Sequence, residues 1–240
     1  RRSSDLAELS RAACCNLGES FVTNPSVDVS YSDAATGAKQ IKLLGLSGTY
    51  VQMLTENIPN YRGAASPYGL GYVPGPWMQS IQVSKGISSV KNGYEAITGQ
   101  INVEFKKPQL PEADWVSANL FASSTNRYEA NADATLKLSK RWGTSFLAHY
   151  ENETKAHDGN DDGFVDIPQV EQYNLWNRWA YMGDHYVFQA GFKALSESRT
   201  SGQAHHTDMQ TGDLYKVNAA RKSKVDDNTA RMQSIKQLGV

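Results

Sequence analysis

The clearest chemistry-bearing spacing lies in Asp158-Gly159-Asn160-Asp161-Asp162-Gly163-Phe164-Val165-Asp166. Asp158, Asn160 and Asp162 place side-chain oxygens at relative positions 1, 3 and 5. Gly163 follows at 6, an apolar residue at 8 and Asp166 at 9, which is the first half of a calcium loop. The twelfth position is Gln169, so the bidentate carboxylate is missing unless Glu171 supplies it, and no helical pattern flanks the segment. The segment therefore reads either as a weak Ca2+ site or as an Asp-rich turn solvated by water. His205-His206, with Asp208 and Met209, reads either as a contact to a metal-bearing ligand or as a solvated loop pair. The two cysteines are neighbours, Cys14 and Cys15, too close for an ordinary disulfide and too few for a zinc site. Neither a nucleophile elbow nor a phosphate-binding glycine loop occurs, so the expectation is that the protein is not an enzyme.

The elements that must carry these residues change character near Pro108–Pro111. Downstream, apolar and polar residues alternate in runs of about ten. Tyr128, Ala130, Ala132, Ala134, Leu136 and Leu138 share one face, and Glu129, Asn131, Asp133, Thr135, Lys137 and Ser139 share the other. Thr144 to Glu151 alternates in the same way. Tyr173, Leu175, Trp179 and Tyr181 form a further apolar face interrupted by Asn177, and Tyr186, Phe188, Ala190, Phe192 and Ala194 another. Short connections at 140–143 and 183–184 alternate with long ones at 152–172 and 196–228. Aromatic residues near strand ends, a charged opposite face and this asymmetry favour a transmembrane β-barrel over a sandwich with one wet face. With 114–123 and a closing run from about 229, six strands are expected. The smallest single-chain barrels have about eight strands and lipid tolerates no open sheet edge, so the sequence is expected to be a piece of a larger barrel. Its opening at Arg1-Arg2, without Met or an apolar signal, fits that expectation.

Upstream of Pro111 the patterns are mixed. Asp5 to Leu17 predicts a helix with a capping-box spacing between Asp5 and Glu8, stopped at Gly18. Short strands are predicted around Val27–Tyr31, Lys39–Leu46, Tyr50–Ile58, Ser80–Val83 and Gln100–Phe105, with turn-rich pieces between. The fold class is thus an α+β domain over 1–110, followed over 111–240 by antiparallel strands of an incomplete barrel.

Composition narrows the function classes. The chain has 240 residues, 24 Lys+Arg against 25 Asp+Glu and a net charge of −1, which gives no basic nucleic-acid footprint. With 12 Tyr, 7 Phe and 5 Trp against 8 Pro, it is neither disordered nor fibrous. No run of 18 apolar residues occurs, which excludes a transmembrane helix but not a barrel, whose strands alternate.

Two segments carry a family resemblance. Leu43 to Pro59 resembles a plug motif of TonB-dependent outer-membrane receptors, and Met78 to Val103 resembles the second plug signature, with Gly86, Ser89, Gly93, Ala96, Gly99, Ile101 and Asn102 in matching spacing. Ser47 stands where Arg is usual, and Glu56-Asn57 replaces an Asp-Gly turn. Ala12 to Phe21, with its paired cysteines, is similar to a variant of Bacteroidetes-type bacteria. The resemblance covers 12–106 by motif and 113–240 by strand pattern. It implies an outer-membrane receptor that imports a scarce nutrient such as a metal chelate, haem or cobalamin. It also implies a TonB-type energy-transducing partner, reached through a segment upstream of Arg1. In this family apical plug loops meet the ligand, which points to Tyr61, Arg62, Tyr68 and Tyr72 as ligand-binding residues, with loop packing as their alternative role. The rival reading from another class is a soluble calcium-dependent β-sandwich binding or adhesion module.

Overall fold

The computed structural model describes residues 2–4, 16–21, 27–33, 36–46, 48–87, 95–108, 115–159 and 163–202. The expected helix over 5–17 and the paired cysteines lie outside the described residues, apart from Asn16 and Leu17. Gly93, Ser89, Asn160, Asp162, the 205–209 cluster and the closing strand near 229 lie outside them as well. Twelve strands are described: β1 Arg2–Ser4, β2 Asp28–Asp33, β3 Ala38–Lys42, β4 Val51–Thr55, β5 Ile58–Pro59, β6 Met78–Lys85, β7 Gly99–Phe105, β8 Trp115–Ala122, β9 Arg127–Lys137, β10 Trp142–Glu153, β11 Gln169–Met182 and β12 Val187–Thr200.

The N-terminal strands form a sheet in the order β1-β6-β7-β4-β5, with β4 and β7 parallel and every other pair antiparallel, and β2 and β3 form a separate ribbon. β7 is buried on both faces, so its run Ile101-Asn102-Val103-Glu104-Phe105 reads apolar with a polar interruption. Ile101, Val103 and Phe105 enter a core with Leu17, Leu43, Val73 and Trp77. Asn102 does a different job: its Oδ1 accepts the Asn57 backbone N–H at 2.7 Å and its Nδ2 donates to Glu104. The single strand expected over Tyr50–Ile58 is instead a hairpin, because Glu56 and Asn57 both take positive φ (56° and 64°) and the Asn102 side chain holds the turn. The strand expected to reach Leu46 stops at Lys42, where Leu44 and Gly45 turn with positive φ.

β8 to β12 form one antiparallel sheet in chain order, from Trp115 to Thr200. The turns at 138–141 and 183–186 lie at one end, and the 123–126 turn and the 154–168 loop at the other. Strands outrun the sequence expectation at the long-loop end: β10 reaches Glu153, β11 begins at Gln169 and β12 continues to Thr200. The extra rungs, such as Glu153 opposite Val170, carry polar residues that alternation of apolar groups does not flag.

The sheet is inside out. Leu120 is 81 % exposed and Leu175 55 %, while Glu129, Arg178 and Lys193 are each 3 % exposed. The apolar face is turned outward, as hydrocarbon requires, and the polar face is covered by the N-terminal domain. Asn177, the blemish in the outward face, is satisfied: its Nδ2 donates to Thr144 Oγ1 and to the Ser145 carbonyl at 3.1 Å each, and its Oδ1 accepts the Trp179 indole N–H at 2.7 Å. At the short-turn end Trp142, Tyr181 and Tyr186 stack in series with ring centroids 5.0 and 5.5 Å apart, an aromatic belt where tails meet headgroups.

Candidate functional site: the seam between domain and wall

The inward face of β8–β12 and the N-terminal domain meet along a polar seam. Arg127, the first residue of β9, gathers three carboxylates: Glu19 at 3.1 Å, Glu129 at 2.7 Å and Glu151 at 3.0 Å. Glu19 belongs to the N-terminal domain and the other two to the wall. Arg178 on β11 meets Glu56 of the β4–β5 turn at 2.6 Å, and Lys106 meets Asp133 at 3.1 Å. Asn174 donates to the Tyr72 carbonyl at 3.0 Å, and Arg199 donates to the Thr36 carbonyl at 2.9 Å. These inward residues are polar because every second position of a wall strand faces the domain instead of lipid. Glu56 also accepts the Phe105 N–H and pairs with Lys107, which in turn holds Glu104. Burial works against the Glu104 charge, but hydrogen bonds from Lys107 and Asn102 outweigh it and lower its pKa.

At the long-loop end the seam opens into a cleft of about 290 Å³, bordered by Glu19, Tyr31, Tyr68, Arg127, Glu151 and Arg199. The Arg199 guanidinium lies 5.1 Å above the Tyr68 ring and is held by Glu197 at 3.0 Å. Ion-paired charges and two phenol rings suit recognition of a polar, partly planar molecule.

The four residues singled out from the sequence are not gathered on one surface. Tyr68 lines the cleft. Tyr61 and Tyr72 do not line it and are buried instead, 3 % and 2 % exposed, with ring centroids 5.8 Å apart. Burial, reinforced by Tyr72, pushes the Tyr61 phenol up, so it stays protonated and donates to the Tyr72 carbonyl. The Tyr61 backbone has φ 54°. The Arg62 Nε–H is shared between both carboxylate oxygens of Glu95 at 2.9 Å each, away from the cleft. Sequence reasoning missed Arg127, Glu151 and Arg199 as cleft residues, and their signal was present as charge at inward positions of alternating strands.

In the acidic segment, Asp158 Oδ2 accepts the Gly163 N–H at 2.8 Å and Asp166 Oδ2 accepts the Gly159 N–H at 2.7 Å. The two carboxylates thus tie the loop on itself. Among the described residues no three His, Cys, Asp or Glu side chains converge on one point.

Residues 3–100 match the family described as TonB-dependent Receptor Plug Domain. They are a TonB-dependent receptor plug. The sheet that follows has the fold of the wall around such plugs. The structure is similar to the copper transporter OprC (TM-score 0.68, 16 % identity, 85 % of this chain and 31 % of that one). It is similar as well to the siderophore receptor PirA from Acinetobacter baumannii (0.66, 16 %, 83 % and 31 %). A third likeness is the pyoverdine outer membrane receptor FpvA from Pseudomonas aeruginosa PAO1 (0.62, 17 %, 79 % and 26 %). The chain spans about a third of the length of these structures or less. No curated protein matches it in sequence. An outer-membrane location goes with the plug and with the inside-out wall. The rival soluble sandwich is set aside, since its apolar faces would be buried against each other.

Proposed function

We propose that the plug and its wall serve in energised uptake, across the outer membrane, of a scarce nutrient such as a metal chelate, haem or cobalamin. The observation that carries this reading is the seam itself. A domain seated against a transmembrane wall by ion pairs and hydrogen bonds, beside apolar contacts at Leu147, Trp176 and Leu195, closes the passage yet can shift as the polar bonds exchange with water. Similarity to a copper transporter and to siderophore receptors supports a metal-bearing cargo. On this reading the protein is a transporter and not an enzyme, and a TonB-type partner supplies the pull through an upstream segment. Tyr68 is the plug residue best placed to meet cargo in the long-loop cleft, and Arg62 contributes at the neighbouring Glu95 loop. Tyr61 and Tyr72, which bond to Lys193 and Asn174, tie the plug to the wall.

The test is uptake of radiolabelled ferric and cupric chelates, haem and cobalamin by cells carrying the full-length receptor, with and without the TonB partner. Uptake of one class that collapses without the partner is expected. Uptake indifferent to the partner, or absent for every class, overturns the reading.

A weak Ca2+ site in the 154–168 loop, formed by Asp158, Asn160, Asp162 and Asp166, is part of the same proposal. Its support is spacing, plus the inward turn of Asp158 and Asp166. Calcium at about 10⁻³ M is expected to protect the loop of the full-length receptor from protease, and Asp162→Ala to remove the protection. Calorimetry without a calcium-specific heat at that concentration leaves a solvated turn.

A further inference from the structure

The outward face of the wall ends in two clusters of aromatic rings. On β10, Trp142 and Tyr150 stand about 26 Å apart along the strand, roughly 20 Å of membrane depth at a ~40° tilt, which puts the clusters at the two headgroup levels. Their surroundings differ in charge. At the long-loop end the Tyr150 and Tyr173 rings lie 4.9 Å apart, and the wall itself supplies their polar partners. Asn152 donates to the Tyr150 hydroxyl and the Tyr173 hydroxyl donates to Glu171, both at 2.9 Å. The acids Glu171, Asp158 and Asp166 lie at or beyond that level. At the short-turn end the cluster of Trp142, Tyr181 and Tyr186 borders cations instead. Lys140 and Arg141 immediately precede Trp142, and Lys137 closes β9 on the inward side. Asp184 is the one acid in the two turns.

The two short turns form one fixed platform. Ser139 Oγ accepts the N–H of Arg141 at 3.3 Å and that of Trp142 at 3.1 Å, which shapes the bend and sets Lys140 at its tip. The Met182 N–H donates to the Arg141 carbonyl at 2.8 Å, and Arg141 Nη2 reaches Asp184 at 2.6 Å, so the first turn is tied to the second. Gly183 lets the Tyr181 ring tuck under the second turn: a Cβ there would lie 2.9 Å from that ring and 3.2 Å from the Tyr186 carbonyl oxygen. Lys140 has no carboxylate partner among the described residues. The Arg141–Asp184 pair is open to water, its side chains 52 % and 71 % exposed, so it is screened and exchangeable. The platform thus offers a positive edge directly beyond a ring cluster at headgroup level.

We infer that the paired short turns form a headgroup site for an anionic phospholipid. Lys140 and Arg141 hold the phosphodiester, and the rings of Trp142, Tyr181 and Tyr186 lie along the glycerol and the upper acyl chains. The occupant is a lipid because the surface continues the lipid-facing side of the wall without a break. It is an anionic one because an amine-bearing headgroup would set its own cation against Lys140, whereas a net negative headgroup complements the platform. The acidic long-loop end repels the same headgroup, so the lipid is selected at one end of the wall only. The site depends on the transmembrane wall and is independent of the cargo.

The test uses the full-length receptor in detergent, titrated with phosphatidylglycerol and with phosphatidylcholine, the bound lipid being counted by native mass spectrometry. Phosphatidylglycerol is expected to bind more tightly by about fivefold or more. Lys140→Gln is expected to weaken it about fivefold, as the loss of one interfacial cation predicts, and to leave phosphatidylcholine unchanged. The substitution breaks no ion pair, so the variant folds as wild type does. Asp184→Asn, which removes the competing acid, is expected to strengthen phosphatidylglycerol binding severalfold. Lys155→Gln, in the long loop, is expected to change nothing, and glycerol phosphate, which lacks the chains, to displace no lipid at equal concentration. Equal binding of the two lipids, or phosphatidylglycerol binding indifferent to Lys140→Gln, overturns the inference. An equal loss with Lys155→Gln overturns it as well, by reducing the effect to general charge attraction. Displacement by glycerol phosphate overturns it by making the platform a site for a soluble anion.

Discussion

At the scale of single residues, the plug signature is a set of close approaches. Gly99 opens β7 with φ 154°, and a Cβ there would lie 2.3 Å from the Ser84 carbonyl oxygen and 2.8 Å from Leu43. The first neighbour is backbone of the adjacent strand and cannot rotate away. Gly99→Ala is therefore expected to destabilise the plug by about 2 kcal/mol, read as lower protease resistance of the plug in the folded receptor. Wild-type resistance would show that β6 and β7 separate freely. Asn102 was legible as a motif member, but its work on the 56–57 turn was not, because that contact joins residues 45 apart in sequence. The aromatic cluster 61–72 failed in the opposite direction. Tyr and Arg in a turn-rich stretch look exposed, yet two of the tyrosines point down into the domain, and nothing local to the sequence encodes that direction.

Among elements, the wall strands were the most readable, because a two-residue period under lipid on one side and protein on the other leaves little choice of face. Their ends were the least readable, since polar rungs such as Glu151 opposite Glu129 obey pairing and not hydropathy. The face assignment has an energetic consequence. Leu175, 55 % exposed in the outward face, is expected to cost about 2–4 kcal/mol when replaced by Arg, if it sits near the bilayer midplane. Asn119→Arg, on the inward face of β8, is expected to cost under about 1 kcal/mol by the same scale. Reversible unfolding of the full-length receptor in lipid vesicles measures both. Equal penalties would mean that the two faces see the same surroundings.

For the whole molecule, the seam determines how plug and wall behave together. Arg127 neutralises carboxylates from both, and its side chain is only 17 % exposed. Arg127→Met would strip Glu129 and Glu151 of the guanidinium they share, leaving Glu151 to His149 and the field of Arg199, at a cost of about 3 kcal/mol. The expected signature is a plug that unfolds separately from the wall in a denaturant titration, where wild type gives one transition. A single unshifted transition would show that the other seam contacts suffice. Sequence patterns announced that a charged lumen existed. They did not say which charges meet, since the partners lie as far apart as residues 19 and 127. Asn177 carries a further consequence, for what keeps neighbouring wall strands together. Its amide is satisfied only when Thr144 and Ser145 of β10 lie alongside. A lone β11 crossing the hydrocarbon would drag a bare amide through it. β10 thus shields β11 wherever that face meets hydrocarbon, and parting the two strands there would expose the amide as well as their shared backbone ladder.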